Sequence, residues 1–168
     1  MLTPKDDRVV RPTTDFTREA LFSILGQKVV GAKVLDLFGG TGALSLESMS
    51  RGAYAATTCD LSRESLALIR KNAEMMGERL EIVQGDFRQC CKRLEGRQFD
   101  LIFLDPPYAM ESAPVLRAIA EADLAAEGCT IVYEHDAADT LAVDGFWHIT
   151  DNRRYGRVAL TFITKEMV

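Results

Sequence analysis

Apolar runs with β-forming composition alternate along this chain with stretches whose apolar positions recur every three or four residues. "KVLDLF" (33–38) is a short β-rich run. A Gly-rich turn follows it, and then a helical pattern carrying Leu44, Leu46 and Met49 that stops at Gly52. Residues 54–60, "YAATTCD", read as the next strand, after which Leu66, Ile69, Ala73 and Met76 recur at helical spacing with Gly77 as the stop. "LEIVQGD" (80–86), a short helix through Leu94, and "FDLIFLD" (99–105) continue the series. A helix over Val115, Leu116, Ile119 and Leu124, a strand over 129–135, and two β-like runs near 146–150 and 155–163 complete it. An earlier helix, roughly residues 15–25, opens at Thr14 or Asp15 and closes at Gly26, offering Leu21, Phe22 and Leu25 to the sheet.

Strands that alternate with helices imply parallel pairing, because parallel neighbours need crossover connections and helices supply them. The expected fold is α/β: a single doubly wound, mostly parallel sheet with helices on both faces and the last strand antiparallel. A chain of 168 residues that is 47% hydrophobic has room for one well-formed core, so residues 1–168 read as one domain, with 1–28 as an N-terminal segment and helix.

Charge and cysteine usage narrow the class. A formal charge of −5 argues against overall electrostatic capture of nucleic acid, so such a partner must meet a local patch. Two candidate patches are Lys5, Arg8, Arg11 and Arg18 near the start, partly offset by Asp6, Asp7 and Asp15, and Arg153, Arg154 and Arg157 near the end. Either can also be a solvated face. Cys59, Cys90, Cys91 and Cys129 form no CxxC pair and no metal-ligand spacing, which suits free thiols in a reducing compartment. No metal cluster and no Ser-His-Asp pattern is evident. His135 and His148 read as surface or strand-end residues, and Trp147 as core. No apolar run approaches the roughly 18 residues of a membrane span, and the first residues carry no apolar signal region, so a cytoplasmic protein is expected.

The chemistry concentrates at strand ends, where ligands of open α/β sheets bind. Four successive strands end in an acid: Asp36, Asp60, Asp86 and Asp105. The turn "DLFGGTGAL" places Gly40 and Gly42 in a G-x-G arrangement, but Ser45 stands where a dinucleotide fingerprint has its third glycine. Asp36 would oppose a pyrophosphate there. It suits a ligand bearing an ammonium group, and S-adenosylmethionine has one, with a carboxylate for the helix N-terminus after Gly42. Asp60 stands where an acceptor for ribose hydroxyls is expected; it can equally cap the turn before "LSRES". Asp86 can accept from an adenine amino group with Phe87 near the ring, or can cap a helix in the box "DFRQ" while Phe87 packs in the core.

The stretch "LIFLDPPY" (101–108) is the sharpest signal. Pro106 and Pro107 remove two amide donors and stiffen the loop. What remains are acceptors, the Asp105 carboxylate and the Pro106 carbonyl, beside the flat face of Tyr108. An exocyclic amine on a nucleobase is a poor nucleophile because its lone pair is delocalised into the ring. Two acceptors on its hydrogens favour the pyramidal, nucleophilic form.

"LDPPY" with "VLDLFGGTGAL" resembles Rossmann-type class I amino-methyltransferases, and "RPTTDFTREALFSIL", "MSRGA" and "YGRVALTFI" narrow the likeness to the RsmD family of ribosomal RNA guanine-N2 methyltransferases, over nearly the whole chain from Arg11 onward. The resemblance implies S-adenosylmethionine as cofactor and ribosomal RNA as partner, within a small subunit or an assembly intermediate, with neither metal nor membrane involved. It implies that Thr13, Asp36, Phe38, Gly40, Gly42, Asp60, Leu61, Asp86 and Phe87 meet the cofactor. Asp105, Pro106 and Tyr108 would act on the target guanine, with Arg11, Pro107, Arg153, Arg154 and Tyr155 on the RNA. The family's usual basic hairpin ahead of the "RPT" segment has no counterpart in residues 1–10, where Asp6 and Asp7 stand.

From the residues alone, other readings stay open. An acid-Pro-Pro-aromatic loop also serves adenine-N6 and cytosine-N4 amines of DNA after base flipping, and a protein glutamine amide fits the same acceptors. A catalytically silent module that binds RNA or the ribosome keeps the fold without the reaction. A nicotinamide dehydrogenase is disfavoured by Asp36 and Ser45.

Overall fold

A computed structural model describes residues 15–107 and 109–165. Thr13, Arg11, Lys5, Arg8, Thr14 and Tyr108 therefore lie outside the described residues. Seven strands form one sheet: β1 (Lys33–Asp36), β2 (Ala55–Asp60), β3 (Glu81–Gln84), β4 (Phe99–Leu104), β5 (Ala125–Asp136), β6 (Trp147–Tyr155) and β7 (Val158–Lys165), in the order β3-β2-β1-β4-β5-β7-β6. The first five are mutually parallel, while β7 runs antiparallel to both of its neighbours, as expected for the last strand.

Five helices cover the faces: α1 (Asp15–Leu25), α2 (Ala43–Ser50), α3 (Arg63–Met76), α4 (Phe87–Arg93) and α5 (Ser112–Glu121), with a 3-10 turn over Gly26–Val29. Each strand presents alternate residues to opposite faces, and two cores result. On one side Leu21, Phe22 and Leu25 of α1 pack with Val34, Phe103, Val132 and Phe162. On the other, α4 and α5 bury Cys90, Val115, Leu116 and Ile119 against Leu35, Ile102, Ile131 and Trp147. All four cysteines are buried free thiols.

Local chemistry sets the boundaries. Ser62 caps α3 by accepting the Ser65 amide at 3.3 Å, and Gly77 ends the helix at φ +67. Asp86 and Gln89 form the reciprocal capping box that starts α4. Several edges differ from the pattern in the sequence. Leu124 lies beyond α5 because Ala122 closes the helix and Asp123 turns the chain at φ +54. β5 starts at Ala125, not at 129, using a register shift opposite Phe99 and Leu101. The separate runs near 146–150 and 155–163 are one hairpin: β6 extends to Tyr155, and the turn at Gly156 and Arg157 precedes β7. β3 stops at Gln84, two residues short of Asp86.

One glycine is required by space alone. The Gly39 amide donates to the Cys59 carbonyl at 2.7 Å, and a Cβ there would collide with Thr58 Cγ2 and crowd the Cys59 carbonyl oxygen and Ile69 Cδ1, each at 3.1 Å. Thr58 cannot swing away cheaply, since its hydroxyl bonds the Ser45 hydroxyl at 2.7 Å. Gly39→Ala is expected to lower unfolding free energy by about 1–3 kcal/mol through overpacking. Gly145, with nothing within 4 Å of its added Cβ, is the control, expected to change by less than about 0.5 kcal/mol. Urea melts of both variants decide it; equal midpoints would refute the steric argument.

Candidate active site

Parallel pairing brings the four strand-end acids to one edge. Asp36 closes β1 and Asp60 closes β2, Asp86 follows β3 across Gly85, and Asp105 directly follows β4. β1 and β4 are neighbours whose connections leave in opposite directions, so the crevice of a doubly wound sheet opens between them.

Asp36 is the most unusual group in this crevice. It is 1% exposed, and among the described residues it accepts one hydrogen bond, from the Phe38 amide at 3.1 Å. Desolvation pushes its pKa up to about 7; the Phe38 bond opposes this, and the charges of Asp60 and Glu134 reinforce it. Glu134, on β5, is itself buried. A cation entering the crevice would favour the charged form of Asp36.

The glycine turn beside Asp36 is held by carboxylate and amide bonds. Asp60 Oδ2 accepts the Gly40 amide and Oδ1 accepts the Ser62 amide, both at 2.9 Å. Asn72 of α3 donates to the Thr41 carbonyl at 2.8 Å. Gly42, at φ +84, starts α2 without a side-chain cap, so the helix's first amides face the turn. Each Asp60 oxygen retains a second lone pair, which leaves room for hydroxyl donors. Thus Asp60 both ties the turns and can accept from a ligand.

The other predicted contacts fall into two groups. Leu61 is exposed beside Asp60, and Phe38 is half-buried above the crevice with its ring 6.1 Å from that of Phe87. Phe87 itself is 5% exposed and belongs to the core, and Asp86 Oδ1 accepts the Gln89 amide at 2.8 Å; these are the packing and capping alternatives for that pair.

The Asp105–Pro107 loop leaves β4 with Asp105 and Pro106 half-buried and Pro107 exposed. The Met110 amide closes the turn on the Pro107 carbonyl at 3.0 Å. Beside the loop lies a cavity of about 240 Å³, walled by Pro106, Pro107, Met110, Tyr133, His135 and Asp136.

Arg153, Arg154 and Tyr155 end β6, which β7 makes parallel to β5, so they reach the same edge. Arg153 pairs with Asp151 at 2.9 Å, and Arg154 is exposed. The Tyr155 ring meets Phe16 edge-on at 6.0 Å, which places the start of α1 beside the hairpin.

Four residues at this edge escape a reading of the sequence. Gly39 looks like one more turn glycine, and Phe16 like a helix-surface residue. Glu134 and Tyr133 sit inside "CTIVYEH", where the one signal was an acid within a core strand.

A family model described as Conserved hypothetical protein 95 matches residues 1–164. The chain belongs to this family, the RsmD family. Among its relatives, the Escherichia coli (strain K12) protein named Ribosomal RNA small subunit methyltransferase D is 36% identical over 104 residues, 61% of this chain and 52% of that one. Bacillus subtilis YlbH is 31% identical over 131 residues, 75% of this chain and 71% of that one. The chain spans about half the length of the E. coli relative it matches. Among solved structures, the E. coli protein yhhF aligns at a TM-score of 0.85 and 27% identity, over 99% of this chain and 91% of that one. A conserved hypothetical protein from Streptococcus pyogenes aligns at 0.82 and 34%, over 89% and 95%. Among the described residues of this RsmD-family chain, no cluster of His, Cys, Asp or Glu is arranged to hold a metal ion, and no helix is long and apolar enough to cross a membrane.

The buried Asp36 carboxyl has a consequence for stability. An unfolded Asp loses its proton near 3.9, whereas native Asp36 keeps its proton until about 7. Between those values the native state binds more protons, so stability falls as pH rises from about 4 to about 7 and then levels off. The loss attributable to Asp36 is on the order of 4 kcal/mol, and Asp36→Asn should remove it. Urea melts from pH 4 to 8 measure the difference; parallel profiles for the two proteins would contradict the burial argument.

Proposed function

We propose that this chain transfers a methyl group from S-adenosylmethionine to the exocyclic N2 amine of a guanine in small-subunit ribosomal RNA. One observation carries the reading: adjacent strands β1 and β4 deliver to one crevice a buried carboxylate with a glycine turn, and an Asp-Pro-Pro loop of acceptors. The likeness to the E. coli Ribosomal RNA small subunit methyltransferase D supports the substrate class.

The residues fit the cofactor's chemistry. Asp36 is a buried acid, with no cation beside it among the described residues, and suits an ammonium group; the uncapped start of α2 suits a carboxylate, and Asp60 has spare lone pairs for a ribose diol. When bound, S-adenosylmethionine supplies an electrophilic methyl group on a sulfonium. The chain's own part is then chiefly positioning, worth an effective molarity on the order of 10⁵ M or more. The Asp105 carboxylate and Pro106 carbonyl accept the two amine hydrogens, holding the nitrogen with its lone pair toward the methyl group. After transfer the nitrogen is cationic and acidic, and Asp105 or water receives its proton. Strong base catalysis is unnecessary. Tyr108 offers the face on which the base stacks, and Arg11, Thr13, Arg153, Arg154 and Tyr155 flank the RNA and cofactor.

The test is incubation with labelled S-adenosylmethionine and small ribosomal subunits lacking the modification, followed by nucleoside analysis. Label is expected in N2-methylguanosine, falling at least 100-fold in the Asp105→Ala variant. Label in another nucleoside, or none despite cofactor binding, refutes the guanine assignment.

Pairing of Asp36 with a ligand ammonium lowers its pKa, so binding of S-adenosylhomocysteine at pH 6 should release a proton and tighten as pH rises toward about 7. Calorimetry in buffers of different ionisation enthalpy reads this release. A buffer-independent heat would remove Asp36 from the cofactor site.

RNA contact by the β6–β7 hairpin should appear in salt dependence. Replacing Arg153, Arg154 and Arg157 with Ala is expected to reduce the slope of log K against log salt by about 2, at roughly 0.7–0.9 per phosphate contact. An unchanged slope would make the three a solvated face.

A further inference from the structure

Phe16 is a large aromatic side chain that the fold leaves 73% exposed. The inward stripe of α1 is made by Thr17, Leu21, Phe22 and Leu25, and Phe16 stands one position off it, so the core does not use this ring. Among the described residues its ring contact is with Tyr155, at 6.0 Å and 72° between planes. That contact fixes where the ring stands. Tyr155 ends β6 and packs against the same core as α1, with Val132, Leu160 and Phe162. The ladder leads from there to the Asp105 loop: Arg153 pairs with Leu160, Leu160 with Glu134, and Tyr133 with Leu104, the residue before Asp105. Three strand spacings of about 4.8 Å put Arg153, two residues before Tyr155, roughly 14 Å from that loop. Cations stand on the same hairpin as Tyr155. Arg154 and Arg157 are exposed, and Arg153 is paired with Asp151 at 2.9 Å. The acids of α1 nearest Phe16 are each taken up by an arginine, Asp15 by Arg18 at 2.7 Å and Glu19 by Arg51 at 3.5 Å.

We propose that Phe16 is a stacking platform for an unpaired base that flanks the target nucleotide in the RNA, with arginines of the β6–β7 hairpin on the adjoining phosphates. The inference rests on the RNA reading above and deepens it. An open aromatic face beside a few cations is how single-stranded nucleic acid is held, because every base has a flat face to stack and a phosphate to neutralise. A protein or lipid partner would instead need a contiguous apolar patch. The structure offers none around Phe16: the exposed Val30, Tyr54 and Phe146 directly precede or stand just ahead of the mutually parallel β1, β2 and β6, at the opposite edge of the sheet. The span of roughly 14 Å separates this platform from the Asp105 loop by more than the width of one base, so the base it takes is a neighbour of the target.

Equilibrium binding to small ribosomal subunits lacking the modification, over a range of salt, tests this with four proteins: wild type, Phe16→Ala, Phe16→Leu and Phe16→Trp. Phe16→Ala is expected to weaken binding about ten-fold. The slope of log K against log salt should not change, since a neutral ring displaces no counterions. Phe16→Leu, equally apolar but without a planar face, should lose as much, while Phe16→Trp stays within two-fold of wild type or binds more tightly. Melting temperatures should agree within about 2 °C, as for any exposed position, and affinity for S-adenosylhomocysteine within two-fold. Binding by Phe16→Ala or Phe16→Leu within two-fold of wild type overturns the proposal. So does a fall in melting temperature that tracks the loss of binding, which would make Phe16 a packing residue. Those results leave the guanine reading standing. Conversely, the expected binding pattern with label in a nucleoside other than N2-methylguanosine keeps the platform and sinks the guanine assignment, whereas a wild-type protein that does not bind the particle sinks both.

Discussion

Asp36 is a carboxyl group that the fold buries with no cation beside it among the described residues. Burying an unpaired charge is so costly that the group holds its proton instead, and here Asp60 and Glu134 raise the cost further. A core strand has no structural need for an acid at this position, since Val34 and Leu35 beside it show what packing there prefers. The surrounding structure concentrates negative charge and lets one backbone amide answer it. Such a site suits a cationic ligand, because a positive charge beside Asp36 offsets the cost of burying its carboxylate.

The rest of the crevice is built to keep that site in shape. Asp60 spends one bond from each oxygen on joining the Gly39–Gly42 turn to the start of α3, and Asn72 clasps the same turn from the helix. Ser45 replaces the third glycine of a dinucleotide fingerprint by exchanging close approach for a buried hydroxyl pair with Thr58. Gly39 is then squeezed between that pair and Ile69. Two loops from different strands thus become one rigid wall, and preorganisation of this kind is what methyl transfer by positioning requires.

Much of this was legible in the sequence because short-range patterns set it. The strand-helix alternation, the stops at Gly26 and Gly77, and the acid after each of four strands all depend on residues within a few positions of one another. The boundaries that shifted depend on partners far away: β5 lengthens because Phe99 offers Ala125 a place in the ladder, and β6 continues to Tyr155 because β7 pairs with it throughout. Phe87 could not be assigned between core and ligand from its type, since burial is a property of what α4 packs against. Tyr133 and Glu134 were hidden for the same reason. In "IVYE" they read as a strand's hydrophobic tail and its polar end, and only the sheet order shows that this end stands beside the Asp105 loop.

The acidity of the chain and its proposed RNA partner are compatible because electrostatic attraction is local. At physiological ionic strength a charge is felt over about 8 Å, so the carboxylates of α3 or of the β3 edge have little influence at the β6–β7 hairpin. Asp151 neutralises part of Arg153, which leaves Arg154 and Arg157 as the main positive charge beside the edge-on pair of Phe16 and Tyr155. A few cations next to aromatic faces can orient a strand by stacking and a small number of phosphate contacts, but cannot supply strong sequence-independent affinity. On the proposed function, selectivity then comes from a substrate already folded to present one base to the Asp105–Pro107 loop.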